Sequence, residues 1–194
     1  MDQYLSEEEL RELRLSACGK AVQLHRYFNL VSPSSVSLGS HVRIDGFGVA
    51  TTGPLDVGSY IHIGSFSYLA CRGGLTIHDF ANLSLGVKIY TTSDDYSGAS
   101  MTNPMVPDEF KNVEMARVEI GAHAIIGAGS VILPGTIIPE GVAIGALSLV
   151  RGPLEPWTIY AGAPVRKIRR RSRELLQRGA ELISKVENCG TSNE

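Results

Sequence analysis

The apolar positions of this chain recur every six residues. From Val118 to Arg151 an aliphatic side chain returns at Ile120, Ile126, Ile132, Ile138, Ile144 and Val150. Four residues after each of the first five comes a small or β-branched one: Ala124, Ser130, Thr136, Val142 and Ser148. The position after the aliphatic residue is Gly121, Gly127, Leu133, Pro139 and Gly145. A helix needs apolar residues every three to four positions and a half-buried strand every two. A period of six, rich in Val and Ile and broken by Gly and Pro, predicts a hexapeptide parallel β-helix. Each hexad is one short strand plus a turn, and three hexads close a triangular coil. The aliphatic residue points inward onto its equivalents in neighbouring coils, so a stack can bury a core that one coil cannot.

The same rule locates what is not repeat. Residues 1–35 are expected to form an N-terminal helical cap over the open end of the solenoid. Ser6 with Glu9 three positions on reads as a capping box. Leu10, Leu13 and Ala17 mark an amphipathic helix that Gly19 would stop, and a second short helix would hold Val22, Leu24, Tyr27 and Phe28. Hexads begin after the breaker Ser32-Pro33-Ser34-Ser35 and occupy 36–165, with Leu38, Ile44, Val57 and Ile63 inward. A spacing of eight between Leu69 and Ile77 bulges Cys71-Arg72-Gly73-Gly74 from a corner, after which Ile77, Leu83 and Ile89 resume the row. The period then lapses until Ile120, leaving an excursion loop at about 95–113. Long irregular segments inside compact domains are usually functional or disordered. Residues 166–194 read as a basic C-terminal helix and tail. Arg166, Lys167, Arg169, Arg170, Arg171 and Arg173 precede Leu175, Leu176, Leu182, Ile183 and Val186 at helical spacing, with a frayed end from Cys189.

Composition narrows the function classes. At 194 residues, 43% hydrophobic and 20% charged, the chain suits one soluble domain with terminal additions. Only 7% is aromatic, as a narrow triangular core requires. A net charge of −2 argues against a nucleic-acid partner. The three cysteines, Cys18, Cys71 and Cys189, form no closed disulfide framework and match no zinc spacing, which points to a reducing cytoplasm. No apolar run approaches a membrane span, so no anchor is expected.

The repeat and the segment Tyr160–Ile168, Y-A-G-A-P-V-R-K-I, together resemble the left-handed β-helix (hexapeptide-repeat) acyltransferases, whose sugar and antibiotic acetyltransferases close their coil with A-G-x-P-A-[KR]-x-I. The likeness covers roughly residues 36–170. It implies a mainly β fold: a left-handed parallel β-helix with an N-terminal helical cap, one long excursion loop that binds substrate, and a C-terminal helix. It further implies acetyl-CoA as acyl donor and a homotrimer with active sites between subunits. By this resemblance Ala128 and Ala146 lie along the pantetheine arm, with Ala163 offering a similar small surface. Pro164 would lie beside the adenine, and Arg166 and Lys167 near the phosphates.

The resemblance also exposes a departure. Many sugar O-acetyltransferases of this superfamily carry a catalytic histidine in the excursion loop, and bacillosamine-type N-acetyltransferases carry one slightly earlier. This chain has Ser93-Asp94-Asp95-Tyr96 at the first position and Asn82 at the second. A hydroxyl acceptor has a very high pKa and needs such a base. A sugar amine, by analogy with an α-amino group, titrates at roughly 8, so a useful fraction is neutral near pH 7. The candidate catalytic residues are therefore Asp94, Asn82 and Asp95, with His78 as the histidine nearest in sequence to Asn82. The expected reaction is N-acetylation of a nucleotide-linked amino sugar for a surface polysaccharide, with Arg72, Lys88 and Lys111 available for phosphate. Sugar O-acetylation is the alternative, and a non-enzymatic β-helix scaffold a third. No metal is expected, because the histidines lack the H-x4-H pair that metal-binding β-helix enzymes use.

Overall fold

The computed structural model describes residues 3–190, with side chains as far as 186. Its strands wind as a triangular prism. The first face stacks Ala17–Cys18, Val36–Leu38, Leu55–Val57, Leu75–Ile77, Val118–Ile120 and Ile137–Ile138. The second stacks Gln23–Leu24, Val42–Ile44, Ile61–Ile63, Asn82–Leu83, Ile125–Ile126, Ala143–Ile144 and Thr158–Ala161. The third stacks Asn29–Leu30, Val49–Ala50, Tyr68–Ala70, Lys88–Tyr90, Val131–Ile132 and Leu149–Val150. Neighbours pair in parallel and in register, so Leu83 lies between Ile63 and Ile126, and Ile126 between Leu83 and Ile144. This is the mainly β parallel β-helix that the six-residue period predicts.

The hexad pattern is the core itself. Ile120, Ile126, Ile132, Ile138 and Val150 are fully buried, and Ile144 nearly so. Each such side chain contributes about 1.5–3 kcal/mol relative to exposure. The small position closes the corner by hydrogen bonding as well as by size. Ser130 and Ser148 are buried, and both donate their hydroxyls to the Gly145 carbonyl, at 3.0 and 2.7 Å. Among the described residues no buried side-chain polar atom lacks a partner.

One edge of the prism explains two of the histidines. His41, Tyr60, Phe80, His123 and Trp157 occupy equivalent corner positions with φ between 53° and 61°. A left-handed backbone costs an L-residue roughly 1–2 kcal/mol. Their rings stack from coil to coil, His41 on Tyr60 at 4.7 Å, Tyr60 on Phe80 at 5.0 Å and Phe80 on His123 at 4.9 Å, which offsets that strain. Between His123 and Trp157 the corner is Gly141, where a Cβ would sit 2.3 Å from the indole. Glycine makes room there for the tryptophan to end the column.

The N-terminus departs from expectation. Helix α1 spans Glu7–Glu12 behind the Ser6/Glu9 capping box, and Leu10 is buried against the first coil. The second predicted helix is absent: Ala17–Cys18, Gln23–Leu24 and Asn29–Leu30 are strands of that coil. The β-helix therefore begins near residue 17 rather than at 36, and Cys18, Leu24 and Leu30 stand six apart. Hydrogen bonds from Arg26 and then from the Ser6 amide hold the Glu9 carboxyl down at about 2, from an ordinary 4.5. A depressed carboxyl stabilises the fold above its unfolded value and loses that contribution as pH falls through the folded one. Amide protection in Glu7–Glu12, taken relative to the free-peptide exchange rate at each pH, is accordingly expected to fall between pH about 4.5 and 2. In Glu9→Gln that protection should already be low at neutral pH and lack the step.

At the other end, Arg166–Arg170 is a strand rather than part of the predicted helical segment, and it pairs antiparallel with Thr158–Ala161. Helix α2 then runs Leu175–Gly190. Leu175, Gly179 and Ile183 are half-buried, and a Cβ on Gly179 would lie 3.8 Å from His123, so the helix rests beside the prism. Cys189, the expected start of fraying, falls within α2, and the tail 191–194 lies outside the described residues.

Candidate active site

The site is built on two edges of the prism. The edge between the second and third faces carries a row of small residues: Gly127-Ala128, Gly145-Ala146 and Ala161-Gly162, in register through the strands before them. The coils meet closely there, since a Cβ on Gly127 would lie 2.4 Å from the Ala146 amide nitrogen. One coil earlier the same position is Ser84, following Asn82–Leu83. On the outer surface of the second face a polar network leads to Asn82. Its Oδ1 lies 2.9 Å from His62 Nδ1, and His62 Nε2 lies 2.8 Å from Asp45 Oδ2. Asp45 Oδ1 in turn accepts from Arg43 Nε at 2.8 Å and from the Tyr4 hydroxyl at 3.2 Å.

The excursion leaves the next edge, between the third and first faces. Its base is an antiparallel ribbon, Thr92–Ser93 with Glu114–Met115, so the loop closes on itself a little wider than predicted. It folds back over the third face. A hollow of about 510 Å³ forms between Tyr68 and Tyr90 on that face, Arg72 at the corner, and Asp94, Asn103 and Lys111 of the loop. Lys111 is nearly buried and holds Asp108 at 2.9 Å. A second hollow of about 280 Å³ on the other side of Asp94 is lined by Asp95, Tyr96 and Arg151.

The two loop aspartates differ in what they hold. Asp95 Oδ1 accepts from the Ser97 amide at 2.8 Å and Oδ2 from the Ser100 hydroxyl at 2.8 Å. The hydrogen bonds from Ser97, and then from Ser100, pull its carboxyl down to about 2. Asp95 shapes the loop. No hydrogen bond from a described residue engages the Asp94 carboxylate, which lines both hollows.

No protein-family model matches the chain. It is 42% identical over 176 residues to the dTDP-4-amino-4,6-dideoxy-D-glucose acyltransferase of Escherichia coli, a match covering 90% of this chain and 92% of that one. The chain belongs to the hexapeptide-repeat sugar acyltransferases. Its fold matches AntD, an N-acyltransferase from Bacillus cereus, with a TM-score of 0.93 at 37% identity, covering 96% of this chain and 100% of AntD. That structure holds dTDP and 3-hydroxybutyryl-CoA; another AntD structure holds dTDP-4-amino-4,6-dideoxyglucose and coenzyme A. WbbJ of Escherichia coli K12, a putative lipopolysaccharide biosynthesis O-acetyl transferase, is 29% identical over 143 residues, 70% of this chain and 69% of WbbJ.

In this acyltransferase the residues expected at the donor site share one edge. Ala128 and Ala146 stand in successive coils of the small-residue row, and Ala163-Pro164 follows the row's last member, joined by a cis peptide. Arg166 and Lys167 open the terminal strand; both are exposed, and Lys167 pairs with Glu155 at 2.6 Å. Asp94 and Asp95 come together around one hollow, whereas Asn82 lines neither loop hollow. His78 lies apart on the first face, 3.0 Å from Glu119 and beside a hollow with Asp56 and Asp79. Two features escaped the sequence. Ser84 stands where the flanking coils have Gly64 and Gly127, and that break in a glycine column was its signal. The Tyr68–Tyr90 pair, with ring centroids 5.7 Å apart, falls at outward positions one coil apart, which the hexad register gives directly.

Proposed function

We propose that this enzyme moves the acetyl group of acetyl-CoA onto the amino group of a dTDP-linked amino sugar, for use in a surface polysaccharide. The observation that carries this reading is the nearly coextensive likeness to two enzymes of that chemistry, one of them holding a dTDP amino sugar and coenzyme A. The geometry supports it. The pantetheine arm is thin, and the row Ala161-Gly162, Gly145-Ala146, Gly127-Ala128 is a narrow track that leads to Ser84 and Asn82. In the loop hollow, Arg72 and the nearly buried Lys111 suit a pyrophosphate, and the Tyr68 and Tyr90 rings a thymine. Asp94, unengaged in its wall, is the base that takes the amine proton as nitrogen attacks the thioester carbonyl; the C–S bond then breaks and coenzyme A leaves as its thiolate, which takes up a proton to become the free thiol. AntD has been solved with its own Ser84 replaced by Thr, Cys or Ala and its own Asp94 by Ala or Asn, and this chain carries Ser84 and Asp94. Because Asn82 and the loop hollow stand on separate parts of one chain, we place the complete site between neighbouring copies of a homotrimer.

Among the described residues no helix is long and apolar enough to cross a membrane. Cys18 and Cys71 are free thiols, which suits a cytoplasmic enzyme.

Thiol release from acetyl-CoA, measured against dTDP- and UDP-linked amino sugars and their hydroxyl counterparts, tests the reading. The expected result is turnover with a dTDP-linked amine and none with the matching alcohol. A 3-hydroxybutyryl-CoA arm decides whether the acyl group is the larger one that AntD holds. Turnover confined to alcohols would overturn the amine assignment.

A further inference from the structure

The Asp45–His62–Asn82 chain contains a conflict of protons whose resolution has a chemical consequence. A carboxylate only accepts hydrogen bonds, so the 2.8 Å contact with Asp45 requires a proton on His62 Nε2. Burial pushes the Asp45 carboxyl up, but hydrogen bonds from His62 and Arg43 more than offset it, and the group is held below the ordinary range. Asp45 therefore remains an anion and fixes the Nε2–H tautomer. In neutral His62, Nδ1 then carries a bare lone pair, and the Asn82 atom facing it must be the amide nitrogen. In protonated His62, Nδ1 donates, and that atom must be the carbonyl oxygen. The structure has Oδ1 at 2.9 Å from Nδ1, and which of the two atoms donates depends on the tautomer. The two amide ends have nearly the same size, so the reversed arrangement needs only a half-turn of the side chain.

The rest of the surroundings leaves His62 in control. On the far side of Asn82 the register partner is Ile125, which offers the amide no polar group. Among the described residues the charged and titratable groups facing the imidazole are Asp45 and, behind it, Arg43 and Tyr4. We propose that His62, held by Asp45, is a positioning residue that sets which polar end of the Asn82 carboxamide meets the acceptor amine. With His62 neutral, Oδ1 turns outward and accepts an N–H of the amine, aligning its lone pair. With His62 protonated, the amide NH2 faces the amine and donates to its lone pair, which withdraws that pair from attack. A single proton, remote from the reacting atoms, thereby gates acceptance. The proposal rests on the reading that an amine is acylated beside Asn82.

The test is a pH profile of kcat and KM for the full-length enzyme with the amino sugar it turns over, compared with His62→Gln. Glutamine keeps a hydrogen-bonding side chain but does not titrate. The expected result is a kcat about tenfold lower at neutral pH, a KM for acetyl-CoA within about twofold of wild type, and loss of one ionisation from the acid limb. Asp45→Asn, which removes the anion that fixes the tautomer, is expected to give the same loss of kcat. It carries the test if His62→Gln melts at assay temperature. A wild-type kcat and an unchanged profile in either folded variant would overturn the proposal. Wild-type enzyme that acylates only alcohols would overturn the amine reading first and this proposal with it, and that is seen before any variant is made.

Discussion

Replacing Asp94 with asparagine is expected to lower kcat by about 10²–10⁴-fold, the usual span for removing a general base. The substitution keeps size and shape and removes only the charge and the second acceptor oxygen. Asp94 lines both hollows of the excursion loop, and no hydrogen bond from a described residue engages its carboxylate. A carboxylate that holds nothing contributes little to folding, so the melting temperature should stay near that of wild type. The KM for acetyl-CoA should also change little, because the donor track lies on another edge. Asp95→Asn is the contrasting case. Its carboxylate ties Ser97 and Ser100 and so organises the loop, and its loss should act mainly on the KM for the sugar. Steady-state kinetics and thermal melting of the two variants separate the roles. Activity of Asp94→Asn within about twofold of wild type would remove Asp94 from the mechanism.

The largest stability effect is expected from Ile126→Ala, at about 2–5 kcal/mol, or a fall in melting temperature of roughly 4–20 °C. Ile126 is fully buried and lies between Leu83 in the coil before and Ile144 in the coil after. Truncation opens a void that neither neighbour can fill, because each is fixed by its own backbone ladder. Leu30 in the first coil has a neighbour on one side only, Ala50, and is only partly buried. Leu30→Ala should cost markedly less. Equal losses at the two positions would mean that the coils unfold as one block rather than through neighbour contacts.

How much of this was legible depends on whether a residue's role is local. The inward row from Ile120 to Val150, the small corner position and the capping box at Ser6 each follow from side-chain size at fixed spacing. The structure places them as read. The first coil was misread because its strands are two residues long and carry Gln23 and Asn29, so the helical pattern of Val22, Leu24 and Phe28 competed with the six-residue spacing of Cys18, Leu24 and Leu30. The difference between Asp94 and Asp95 was not readable, since it lies in which one the serines Ser97 and Ser100 turn toward. The Asp45–His62–Asn82 chain joins residues 17 and 20 positions apart. It becomes visible only once strands one coil apart are aligned.

The final strand sets the length of the molecule. A parallel β-helix ends in a row of unpaired amides and carbonyls that invites another strand, whether from its own chain or from a stranger's. Here Arg166–Arg170 fills that row on the second face in the opposite direction and presents three arginines and a lysine, all exposed. Reversal breaks the six-residue winding, and repulsion between like charges opposes a second copy docking end to end. The same short stretch that closes the coil is thus a stop signal written in charge and direction, keeping a self-templating architecture from growing into a fibre.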